Sequence, residues 1–170
     1  MHRSLHSGMP GLARLRRLAS LLAAIPFASG CATLLANEAP PAVFDSLTSH
    51  VRTTTELSSI AKRMTLAEGV PARVLELARD ADTSQHLVAI RDREPLHRHN
   101  HHSLNVVILK GHGAMHLGGE ERLVGEGSVL HVPRGVVHAF INRSNEPAVA
   151  YVLYSPPFDG VDRELVPASN

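Results

Sequence analysis

Histidines carry the most suggestive chemistry in this chain. His97, His99, His101 and His102 crowd into "HRHNHH", and His138 follows in "VPRGVVHAFIN". Neutral imidazole is a borderline-soft nitrogen donor, so a cluster of this kind suits Fe(II), Zn, Ni or Cu better than Mg or Ca. Histidines at i and i+2 of an extended chain face the same side, and a third from a distant strand would complete a facial set. The stretch that follows, "SLNVVILKG", holds no carboxylate. No general acid or base stands out beyond the histidines themselves.

Such a cluster needs strands to hold it. From about residue 70 the chain becomes short apolar runs, "ARVLELA", "QHLVAIR", "LNVVILK", "GAMHL", "SVLHVP", "VHAFIN" and "AVAYVLY", separated by turns such as "GHG", "LGGEE", "PRG" and "SNEP". Many β-type runs without a long helical pattern between them indicate an all-β sandwich or barrel. A domain of about 100 residues buries an adequate core without disulfides.

Gly127, Pro133, Gly135, His138 and Asn142 are spaced G-x5-P-x-G-x2-H-x3-N. Counting back from Gly111 with the pattern H-x-H-x4-E-x6-G puts the histidines on His97 and His99 and the acid position on Leu104. In these two motifs the chain resembles the cupin superfamily, over residues from about 70 to 156. The resemblance implies a double-stranded β-helix, or jelly-roll barrel, whose motifs converge on one internal metal held by His97, His99 and His138. Leu104 cannot ligate. His102 shares its facing, one residue removed along the strand, and is the expected substitute, giving the set His97, His99, His102 and His138. His101 points the other way in a regular strand, though a bulge would exchange the two. The resemblance also implies a small-molecule ligand and a homodimer through sheet edges. Cupins span dioxygenases, isomerases and binding modules, so fold and motif leave open a metal-dependent enzyme on a small metabolite or a non-catalytic module binding a metal or small ligand.

His86 alternates with Val88 and Ile90, and with Met115 and Phe140 it is a candidate for the substrate pocket; Val106 and Ile108 share the lining parity. Core packing is the plainer role for all of these. Arg91 and Arg134 could meet an anionic substrate. His112 and His116 are expected to face solvent, and His131 is ambiguous. Phe158 is expected to plug one end of the barrel, within a tail, 158–170, too rich in Pro for regular structure.

The N-terminus reads separately. Residues 1–30 combine Arg3, Arg14, Arg16 and Arg17 with the apolar run "LASLLAAIPFASG" and precede Cys31, the only cysteine, which excludes an intramolecular disulfide. "FASGCAT" resembles a bacterial lipobox, with Ala28 where Leu is commoner. It implies a lipoprotein signal peptide, lipidation of Cys31 and a lipid-anchored protein of the cell envelope, on the outer membrane facing the periplasm. Met9 would give a signal of more ordinary length than Met1. Residues 31–43 read as a tether. Residues 44–66, with Leu47, Val51, Leu57, Ile60 and Met64 at helical spacing, read as a helical arm capped by Asp45 or Ser46, with the barrel over 67–157. Removing the signal leaves 13 basic residues against 16 acidic ones, and no basic patch argues for nucleic acid.

Overall fold

The computed structural model describes residues 42–48 and 50–167. The signal segment, Cys31 and most of the tether lie outside them. The described chain opens with two strands, β1 (Val43–Thr48) and β2 (Val51–Glu56), paired antiparallel from Val43↔Glu56 to Thr48↔Val51. Only α1 (Leu57–Arg63) is helical, which corrects the expected helical arm over 44–66. The reason is local. Val51 and the run Thr53–Thr55 are β-branched and lose side-chain freedom in a helix. Asp45 accepts hydrogen bonds across the ladder from Arg52 and from Thr54, the latter at 2.9 Å. His50, exposed and at φ 67, makes the tight turn between the strands.

Ten strands follow: β3 (Ala72–Arg79), β4 (Ser84–Ile90), β5 (His97–Arg98), β6 (Ser103–Lys110), β7 (His112–Leu117), β8 (Glu120–Gly125), β9 (Val129–Val132), β10 (His138–Asn142), β11 (Ala148–Ser155) and β12 (Glu164–Leu165). They form two antiparallel five-stranded sheets, ordered β12-β5-β10-β7-β8 and β3-β4-β11-β6-β9. This is the jelly-roll arrangement that the turn-punctuated runs predict. Ile90, Leu104, Ile108, Met115, Val132, Phe140, Val152 and Tyr154 are buried in one core cluster. Leu87, Ala89 and Val149 alternate with that set and bury instead against Ile60 and Met64, which α1 and its C-terminal end supply. Part of the second sheet is therefore covered on both faces, and "HLVAI" and "AVAYVL" read as continuous apolar runs for that reason. Among the described residues no helix is long and apolar enough to cross a membrane.

Two glycines are dictated by the packing. A Cβ on Gly113 would lie 2.2 Å from the Ile141 carbonyl oxygen and 2.6 Å from the Phe140 ring. Gly135, at φ 74, turns its N–H to donate to the His99 carbonyl at 2.7 Å, tying the two motif segments together. Asn142 is structural as well: its Nδ2 donates to the Arg91 and Glu146 carbonyls at 2.7 and 2.8 Å. The tail is more ordered than its prolines suggest, since Glu164↔Arg98 and Leu165↔His97 pair β12 with β5.

Candidate metal centre

β5 and β10 run antiparallel with His97 directly opposite His138, and His99 follows on the same side as His97. The three rings converge: centroids lie 4.3 Å apart for His97–His138, 5.2 Å for His97–His99 and 5.4 Å for His99–His138. One ring nitrogen from each lies within 4.8 Å of the other two, and all three residues are buried. Every Nδ1 faces a main-chain carbonyl, of Pro95 at 2.8 Å for His97, of Val136 at 2.9 Å for His138 and of Asp162 for His99. A carbonyl only accepts, so Nδ1 carries the proton and Nε2 keeps its lone pair. No Nε2 of the three makes a hydrogen bond among the described residues. Burial, reinforced by the neighbouring His138, pushes His97 down to about 3. Burial takes His138 down to about 4 and lowers His99 too. Three neutral, pre-oriented nitrogen donors fit a divalent transition metal and leave coordination positions for water or ligand.

His102, the expected fourth ligand, is turned elsewhere. Its Nδ1 lies 2.5 Å from Asp162 Oδ2 and its Nε2 3.1 Å from the Pro157 carbonyl oxygen, so both nitrogens face oxygens of the tail. The strand register that motivated the substitution fails because β6 begins only at Ser103. His102 belongs to the loop before it. That loop is organised by Asp162, whose carboxylate accepts the N–H groups of Asn100 and His101 at 2.9 Å each and of His102 at 3.2 Å. Burial alone would raise the Asp162 carboxyl, but the His102 bond and these amides outweigh it and hold the group well below the usual carboxylate range. His101 is exposed, and Leu104 is a buried cavity residue.

The three imidazoles open into a cavity of about 60 Å³, space for a few waters or a small ligand beside a metal. Met115, Phe140, Val106 and Ile108 line it as the parity predicts. His86 does not. Its Nε2 lies 2.8 Å from Ser84 Oγ, its Nδ1 is buried without a partner, and its ring packs edge-on to Tyr154. Arg91 is no anion receptor either, since it donates to the Leu66, Ala67 and Val70 carbonyls. Arg134 is exposed and lines no part of the cavity. His112 is exposed, His116 half-buried, and His131 is exposed with Nδ1 3.0 Å from Asn105 Oδ1. Phe158 packs against the core and stacks on Tyr154 at 4.8 Å, consistent with a plug.

The cavity does hold an acid that the sequence reading missed. Glu94 lines it together with the three histidines. Burial raises its carboxyl above the ordinary value, against the opposing pull of the Phe140 N–H and Arg163. The motif directs the search for an acid to positions after the histidine pair, whereas Glu94 precedes it. The available signal was a lone acid beside Pro95 at the entry to the ligand segment.

Comparison with known proteins agrees with this architecture. A family model described as a cupin domain matches residues 86–154. An uncharacterised protein of Aquifex aeolicus is 38% identical over 89 residues, 52% of this chain and 73% of that one. Among solved structures, a Klebsiella pneumoniae protein with a double-stranded β-helix domain superposes with a TM-score of 0.53 at 16% identity, covering 62% of this chain and 93% of the other. KdgF from Halomonas sp. gives 0.51 at 20% identity, covering 55% and 86%.

Proposed function

The chain belongs to the cupin family, and on that premise we propose that it is a metal-binding envelope lipoprotein acting on a small metabolite. His97, His99 and His138 would hold Fe(II), Zn, Ni or Cu through Nε2. The observation that carries this reading is the set of three buried nitrogens whose partner nitrogens are all fixed by carbonyls. Such a metal supplies Lewis acidity, with oxygen activation added if it is iron. The chain's own residues orient the donors, exclude bulk water and bound the ligand by an apolar wall. Three ligands rather than four favour turnover over simple metal storage, because positions stay open for a substrate. Cys31 would carry the lipid that fixes the protein to the outer membrane, facing the periplasm.

The test is to purify the full-length chain anaerobically with each metal in turn and measure bound metal by elemental analysis. Stoichiometric metal in the parent, lost in His97→Ala, His99→Ala and His138→Ala, is expected. No metal under any condition overturns the reading. For the iron-loaded protein, oxygen uptake with thiol, phenol and keto-acid panels then separates an enzyme from a binding module.

A further inference from the structure

The cavity has a second polar face. Besides the three imidazoles, its lining holds two polar side chains, Glu94 and Tyr154, among apolar residues such as Val88, Ile90, Leu130 and Val152. Glu94 is positioned by its neighbours. Its N–H donates to the Phe140 carbonyl at 2.9 Å, and its Oε2 accepts the Phe140 N–H at 3.2 Å. Its Oε1 makes no hydrogen bond among the described residues; the nearest countercharge, Arg163 Nη2, stands 4.0 Å away on a substantially exposed side chain and does not line the cavity. The Tyr154 hydroxyl likewise has no hydrogen-bond partner among the described residues, although the residue is only 8% exposed. The two groups feel each other: burial first, then the charge of Glu94, holds the Tyr154 phenol above its ordinary value. Polar groups buried in an apolar cavity without partners are costly unless a ligand or water satisfies them.

We propose that Glu94 Oε1 and the Tyr154 hydroxyl are specificity-determining groups, which select a small uncharged ligand carrying a hydroxyl beside the oxygen that meets the metal. This rests on the three-histidine reading above. The small apolar cavity excludes bulky molecules. A carboxylate facing its interior accepts a hydrogen bond from a ligand hydroxyl and repels an anion, both strongly at low local dielectric. Tyr154 offers the matching donor or acceptor.

The experiment uses the full-length chain loaded with Co(II), whose visible absorption reports what enters the metal's open positions. Hydroxyacetone, acetone and azide are titrated into the parent, Glu94→Gln, Glu94→Asp and Tyr154→Phe. The parent is expected to prefer hydroxyacetone to acetone by about ten-fold or more, the worth of one charge-assisted hydrogen bond. Glu94→Gln should lose most of that preference and bind azide about ten-fold more tightly. Glu94→Asp, keeping the charge but not the reach, should retain the exclusion of azide and lose part of the preference. Tyr154→Phe should lower the preference while leaving azide unchanged. Cobalt bound through the histidines with no difference between parent and Glu94→Gln overturns this inference alone. Failure to bind cobalt at all overturns the metal reading and this inference with it.

Discussion

Each of the three convergent imidazoles has one nitrogen committed to a main-chain carbonyl and the other free, and that commitment makes the histidines inequivalent. His102 has both nitrogens facing oxygens, so His102→Ala should leave metal stoichiometry intact, unlike Ala at the other three; elemental analysis of the four variants distinguishes them. The depressed values of His97 and His138 also set a pH dependence. Below 6.5 the unfolded chain protonates these imidazoles, whereas the folded ones stay neutral down to about 3 and about 4. The unfolded state then binds more protons, so the metal-free fold loses stability as pH falls from about 6.5 towards 4. The slope reaches up to about 1.4 kcal/mol per pH unit for each imidazole, and above that window it vanishes. Melting curves of the metal-free chain between about pH 7 and pH 4.5 check this, and a flat melting temperature would contradict it. The sequence made the ligand pair legible because i and i+2 spacing is a backbone rule. It could not show that His102 turns to Asp162, because that partner lies 60 residues away in sequence.

Among the elements, the segment Pro157–Val166 holds the ligand loop in place. Asp162 alone receives three amides and His102, and its own carbonyl orients His99. Asp162→Ala strands those donors in a buried setting, and should cost about 2–4 kcal/mol of stability and about ten- to hundred-fold in metal affinity. Thermal denaturation and metal competition measure the two effects. The exposed Arg98–Glu164 pair beside it should contribute under about 1 kcal/mol, so Glu164→Gln is the mild control. Turn residues and alternation made the barrel strands readable. The hairpin β1–β2 was not, since Leu47, Val51 and Leu57 happen to fall at helical intervals while cross-strand bonds to Asp45 decide the outcome. A two-residue strand such as β12 offers too short a pattern to read at all.

Across the whole molecule, two interdigitated cores share one sheet, which leaves little slack. Gly113→Ala drives a Cβ into backbone and the Phe140 ring, and should cost about 2 kcal/mol or more; its melting temperature tests this. The envelope address is a separate property, and metabolic labelling with palmitate should mark the parent chain but not Cys31→Ser. The general architecture was readable because glycines and prolines punctuate it. The acid of the cavity was not, since Glu94 reaches the interior only once β10 supplies the Phe140 amide. One further consequence concerns rates. His97 and His138 sit on adjacent strands, and β5 meets β10 at a single residue pair. An ion held between them could leave only when that junction opens. Its exit and the deuterium exchange of the neighbouring amides should then share one rate constant, making the ion a clock for the breathing of this edge.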